Sequence, residues 1–214
     1  MKQILLSLAA ACLFAVGAQA QVSYGVKAGV NLPKQVVKMS GNGLSASVET
    51  SALTSFYVSG YANIPAASNF AIQPGIAFQG KGGKLDLNAM GSGEVSQSIW
   101  SVDIPVNAVY SIPTGNSGSV FVGAGPYVGV HLSGKVEMGE ESQDLSIGSG
   151  ADDQLKRIDY GVNFQLGYAF DNGFLINGGY GLGLANIINM EADGSNPSVK
   201  GYNRILSIGI GYEF

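Results

Sequence analysis

The sequence predicts an all-β chain: an eight-stranded antiparallel up-and-down transmembrane β-barrel, preceded by a cleaved signal peptide. Three observations predict it. From Gln21 onward the apolar residues recur with a period of two, the signature of strands with one apolar face. The segments so patterned are about 11 residues long, the length of a tilted strand crossing a hydrocarbon layer and about twice a usual soluble strand. The links between them alternate strictly between long and short, as the two ends of an up-and-down barrel require.

The first 20 residues have the three parts of an export signal. Lys2 supplies the positive start, Ile4 to Val16 the apolar stretch, and Ala18-Gln19-Ala20 a small-x-small cleavage site before Gln21. Residues 1–20 are therefore expected to be a signal peptide and residues 21–214 the barrel domain. An apolar run of about a dozen residues falls short of the roughly 20 that a spanning helix needs. The single cysteine, Cys12, lies inside this run. A lipidated Cys12 would need the apolar stretch to end there, but it continues through Leu13, Phe14 and Val16. After cleavage no cysteine would remain to form a disulfide.

Eight strands can be read. The first, 22–32, sets Val22, Tyr24, Val26, Ala28 and Val30 against Ser23, Gly25, Lys27, Gly29 and Asn31; the second covers 54–64. In the third, 70–79, Phe70, Ile72, Ile76 and Phe78 oppose Gln73 and Gln79. The fourth, 99–110, turns Trp100, Val102, Ile104, Val106 and Tyr110 away from Asp103 and Asn107. The fifth covers 119–132, the sixth 158–170, the seventh 174–184 and the eighth 202–214. Long links are expected at 33–53, 81–98, 133–157 and 185–201, and short ones at 65–69, 111–118 and 171–173, which places both chain ends on the short-turn side. The short links carry turn chemistry, of which Asp171-Asn172-Gly173 is a strong hairpin signal.

Glycine decides which face looks inward. Most strand glycines share the face of Lys27, Asp103, Asp159 and Glu213, whereas Gly60 and Gly178 fall on the apolar face. A bulky, aromatic-rich face suits a convex surface against lipid, and a face of glycines and a few charges suits the cramped inside of a narrow barrel. Aromatics near strand ends, including Tyr24, Phe70, Phe78, Trp100, Tyr110, Tyr168, Phe170, Phe174 and Tyr202, fit interfacial girdles.

Composition narrows function. The 214 residues are 46% hydrophobic and 12% charged with a formal charge of −4, so no basic footprint for nucleic acid exists. Lys27, Asp103, Asp159 and Glu213 are the candidate lumenal polar network: either an ion pathway or, as read here, a salt-bridged and hydrogen-bonded filling, with Lys27 and an acidic partner at its core. His131 and Ser133 have the His-x-Ser spacing that puts two side chains on one strand face, as in lipid A deacylases, but His131 has lumenal parity whereas such a pair must face lipid. Glu137, Glu140, Glu141, Asp144, Asp152 and Asp153 form an acidic loop without the spacing of a calcium loop. Gly181-Leu182-Gly183 lacks the strand, turn and helix context of a nucleotide site. No catalytic residue, metal or cofactor is expected.

The runs Trp100-Ser-Val-Asp-Ile-Pro-Val-Asn-Ala-Val-Tyr110, Gly123-Ala-Gly-Pro-Tyr-Val-Gly129, Asp159-Tyr-Gly-Val-Asn163 with Gly167-Tyr168, and Gly181-Leu-Gly-Leu-Ala-Asn186 resemble the PorT-like outer-membrane β-barrel family. The likeness spans nearly the whole chain after Gln21 and implies a small barrel of the OmpA/OmpX type in the cell outer membrane. The aromatic last residue, Phe214, resembles the end of outer-membrane barrels that the assembly machinery reads. Expected partners are outer-membrane lipid and lipopolysaccharide, that machinery, and a protein at the long loops. The expected role is structural or interactive, with four long outward loops and no wide pore; a narrow porin, a transport or secretion accessory, and a lipid A-modifying enzyme are the other readings.

Overall fold

The computed structural model describes residues 21–41, 44–86, 93–115, 117–148, 150, 153–189 and 198–214. The expected signal peptide, Asn116 of one short link, and parts of all four long links, Asp152 among them, lie outside them. Among the described residues no helix is long and apolar enough to cross a membrane, so the crossing falls to strands.

Among the described residues twelve strands run in chain order as β1 (Ser23–Gly41), β2 (Leu44–Glu49), β3 (Ser55–Ala67), β4 (Phe70–Asp86), β5 (Glu94–Pro113), β6 (Gly118–Met138), β7 (Glu141–Asp144), β8 (Ile147–Gly148), β9 (Leu155–Lys156), β10 (Ile158–Phe170), β11 (Phe174–Gly183) and β12 (Ser198–Glu213). Eight of them close a ring by antiparallel pairing, β1–β3–β4–β5–β6–β10–β11–β12, with β12 returning to β1. Closure satisfies the backbone hydrogen bonds of every strand without leaving an edge in lipid. The other four strands are short and belong to the long-loop end, where β2 extends β1 and β7 extends β6.

The structure lengthens the expected strands at that end. β1 continues to Gly41, β4 to Asp86 and β6 to Met138, while β5 begins at Glu94 and β12 at Ser198, all inside segments expected as long links. The apolar alternation stops where the barrel leaves lipid, but antiparallel pairing does not need lipid and carries the ladders on into water. At the other end the turns are tight. In Asp171-Asn172-Gly173 the Asn172 side chain accepts the Phe174 N–H at 3.1 Å, and Gly173 takes the left-handed φ of 86° that only glycine adopts freely.

The apolar face is outside. Ile208, Ile210, Leu166 and Phe164 are 64%, 54%, 64% and 47% exposed, which in a membrane means exposure to acyl chains. Outward aromatics gather in two belts. Phe56, Phe78 and Trp100 form one at the long-loop side, with Phe78 and Trp100 stacked at 5.1 Å. Phe70, Tyr110, Phe170, Phe174, Tyr212 and Phe214 lie at the short-turn side. Trp100 and Tyr110 stand on one strand, β5, ten residues apart. At about 3.4 Å per residue and a tilt of about 40°, that separation spans about 26 Å along the barrel axis, the height of an outer-membrane apolar band.

Candidate functional site: a filled lumen capped at the long-loop end

Inward-facing side chains of β5 read off the layers of the interior in order. Ile99 lies at the long-loop end, Ser101 and Asp103 follow, Asn107 comes next, and Val109 lies nearest the short turns.

The uppermost layer is apolar. Ile99, Leu155 and Ile187 are buried together, with Leu145, Ile147 and Ile188 against them. The segment between β6 and β10 is folded over the mouth to make this contact. Its β8 and β9 pair in parallel, the Leu145 N–H donates to the Gly134 carbonyl at 2.8 Å, and the Lys156 N–H donates to the Ile187 carbonyl at 2.8 Å.

Beneath it is an ionic cluster centred on Lys81. The Lys81 ammonium is wholly buried and lies 2.8 Å from Oδ2 of Asp103 and 2.8 Å from Oδ2 of Asp159. Asn203 Nδ2 donates to the same Asp159 oxygen at 3.0 Å and the Tyr127 hydroxyl at 3.3 Å, while Gln79 Nε2 donates to Asp103 at 2.6 Å. The Tyr127 ring lies under the ammonium at 4.8 Å. A buried charge survives only when paired and hydrogen-bonded, and here five strands, β4, β5, β6, β10 and β12, each contribute to that pairing.

A second network lies toward the short turns. Glu213 accepts from Ser23 Oγ at 2.7 Å, the Tyr61 hydroxyl at 2.9 Å and Asn63 Nδ2 at 3.0 Å. Amide side chains then pass the chain across the lumen: Gln73 donates to Asn63 at 3.1 Å, Gln165 to Gln73 at 3.1 Å, and Lys27 to Gln165 at 2.9 Å. Lys27 also faces the Tyr61 ring at 4.4 Å. Val109, Phe121 and Leu175 pack beside it.

The four residues expected as one network thus fall into two. Asp103 and Asp159 are brought together, Lys27 and Glu213 occupy the other layer, and the cation at the ionic core is Lys81, not Lys27. Sequence reading missed Lys81 because the apolar alternation ends before it, which put it in the long link 81–98. The odd parity of Gln73 and Gln79 runs on to Lys81 and was the available signal. Tyr127 and Asn203 also belong to the cluster.

His131 is buried, with its Nδ1 2.9 Å from the Lys156 carbonyl oxygen and its Nε2 3.8 Å from Asp159. A carbonyl can only accept, so Nδ1 carries a proton. Ser133 does not share its face. The pairing of β5 with β6 slips at Trp100/Ser101, which leaves Leu132 as an extra residue and turns Ser133 outward. The bulge therefore separates the expected His-x-Ser pair. In the acidic loop, Asp153 caps a turn by accepting the Gly150 N–H at 2.7 Å, and Glu137 lies 3.4 Å from Lys135. Among the described residues no three metal-ligating side chains gather.

Cavities remain inside the barrel, and two of them matter here. One of about 120 Å³ lies mid-barrel, lined in part by Asn31, Asn107, Asn177 and Asp103. One of about 360 Å³ is a vestibule among the short turns. Lys27, Tyr61 and Gln73 line both and stand between them.

A closed ring with an apolar exterior, two aromatic belts and a filled lumen is the architecture of small outer-membrane barrels, and a family model described as outer membrane protein beta-barrel domain matches residues 17–189. The chain belongs to that family. It is an outer-membrane protein. No curated protein shows significant similarity to it. Among solved structures it is similar to the outer membrane protein OprG of Pseudomonas aeruginosa, at 15% identity and a TM-score of 0.51, over 92% of this chain and 98% of OprG. It is also similar to Neisserial surface protein A, at 16% identity and a TM-score of 0.47, over 91% and 99%. At such identities the likeness to OprG concerns the fold.

Proposed function

We propose that this barrel is a closed anchor rather than a conduit, and that it acts through its long-loop end by presenting a shaped surface to a protein partner. One observation carries the reading: the lumen is stoppered on that side by the Lys81 cluster and the apolar layer of Ile99, Leu155 and Ile187 above it. A transport path would need mobile polar groups or water through that level, and an eight-stranded barrel has little room for either. The paired extensions β1–β2 and β6–β7 rise beyond the apolar band and carry exposed Met39, Val48 and Met138, unusual spending of apolar side chains on a segment outside lipid.

Within the family we infer a PorT-like member. Its motif-bearing strands supply Asp103, Tyr127 and Asp159, so the segments that carry the resemblance are those that build the ionic cluster. The reading is tested by photo-cross-linking in intact envelopes from positions Val48 and Met138. A discrete adduct is expected, lost when residues 139–144 are shortened while the barrel keeps its folded gel mobility. Adducts that are absent, or indifferent to the shortening, contradict a loop-end partner.

A further inference from the structure

At the long-loop rim the outer surface of β1 and β12 carries four cations in two facing pairs. The register sets Lys34 opposite Arg204 and Lys38 opposite Lys200, with Val36 opposite Tyr202 between them. All point away from the lumen, because Pro33, Gln35, Asn203 and Ile205, which alternate with them, are buried inside. Immediately below, Leu32 pairs with Leu206, both exposed members of the lipid-facing band. Successive outward pairs are about 7 Å apart along a strand, so at a tilt of about 40° the cations begin about 5 Å beyond the last apolar pair along the barrel axis and end about 16 Å beyond it. That is the headgroup zone of the outer leaflet.

Like charges placed directly opposite across a strand pair repel. Only one of the four has a carboxylate partner among the described residues: Lys34 lies 3.3 Å from Glu49, an exposed pair of small energetic weight. Lys38 sits 5.5 Å from the Tyr202 ring centroid. Arg204 donates to the Gly183 and Asn203 carbonyls at 2.7 and 2.8 Å, which orients its guanidinium without neutralising it. The opposite side of the rim is built differently, with Lys84 at 2.8 Å from Glu94 and Lys135 at 3.4 Å from Glu137, and with exposed Asp86, Glu140, Glu141 and Asp144 close by in sequence. In a chain of net charge −4, four cations against the one carboxylate of Glu49 among the described residues are a local arrangement, not an average property.

We propose that the β1–β12 face of the rim seats the phosphorylated headgroup of an anionic outer-leaflet lipid. Lys34, Lys38, Lys200 and Arg204 are its phosphate-binding side chains, and Tyr202 is the interfacial ring between them. A bound phosphate relieves both like-charge pairs at once, and the apolar band below receives the acyl chains of the same molecule. The site rests on the barrel's orientation in the membrane and does not require a protein partner at the loops.

The test reconstitutes the folded protein in phosphatidylcholine nanodiscs doped with bisphosphorylated lipid A or with its dephosphorylated form, re-extracts it, and counts retained lipid by native mass spectrometry. Retention of the phosphorylated lipid is expected, falling as salt is raised. Removing two cations in Lys38→Gln/Lys200→Gln should weaken it roughly 25-fold at low ionic strength. Lys84→Gln/Lys135→Gln should leave it unchanged. Equal retention of the dephosphorylated lipid, retention by the wild type that ignores salt, or a folded Lys38→Gln/Lys200→Gln barrel that retains as much as wild type would each overturn the site. Displacement of lipid A by an equal concentration of inorganic phosphate would overturn the lipid assignment in favour of a free anion.

Discussion

Among the described residues, Lys81 holds two buried carboxylates that have no other lysine or arginine within ion-pair distance, and His131 Nε2 lies 3.8 Å from one of them. Deleting one partner of such a group leaves charge stranded in a low-dielectric interior, so Lys81→Met should destabilise the barrel by about 3–5 kcal/mol. Lys84, three residues along β4 and paired with Glu94 in water, should cost less than about 1 kcal/mol on the same substitution. Urea unfolding of the barrel in lipid vesicles compares the two. Converting Asp103 and Asp159 to Asn together with Lys81→Met removes the stranded charges as well, and this triple variant should be more stable than Lys81→Met alone. A triple variant no more stable than the single one would mean that packing, not charge, is what Lys81 supplies.

Elements are held in register by where glycine falls. A methyl group added at Gly125 would run into the Val106 carbonyl oxygen and the backbone of Asn107, which are rigid. At Gly178, on the lipid face, the nearest atom to such a methyl is 3.8 Å away, and at Gly60 it is 4.0 Å. Gly125→Ala should therefore cost about 1–3 kcal/mol as the strands part. Gly178→Ala should be neutral or stabilising by up to about 1 kcal/mol, since it removes backbone freedom from the unfolded chain. Thermal loss of the folded gel mobility ranks the pair, and equal shifts would remove steric crowding from the inward face as an explanation.

This glycine contrast is also why the barrel was legible in the sequence. Parity and the pooled glycine content of the strands separated inside from outside, and tight turns such as Asp171-Asn172-Gly173 marked the short-link end. What parity could not supply was a break in itself. The bulge at Leu132 changes the face of Ser133, and Gly134 beside it is one glycine among many in these strands, so the spacing that suggested catalysis was undone unannounced. Strand ends were illegible for a related reason: beyond the apolar band, Lys34 to Ser40 and Gly80 to Asp86 lose apolar alternation while keeping their ladders. Lys81 lay in such a stretch, so Asp103 and Asp159 were found from sequence and the cation between them was not.

At the scale of the whole molecule the interior is asymmetric. From the short turns a vestibule of about 360 Å³ leads in as far as Lys27, Tyr61 and Gln73, and the mid-barrel cavity ends at the ionic cluster. From the long-loop side the apolar layer and the strapped segment between β6 and β10 cover that cluster. In a small barrel so filled the exterior answers to lipid and the interior to its own charges, as the proposed closed anchor requires. The most direct test of this account is conductance through single barrels in a planar bilayer. The wild-type protein should leave the current at the bilayer baseline at either polarity, whereas uniform, reproducible ohmic steps from the folded wild-type barrel would contradict a sealed lumen.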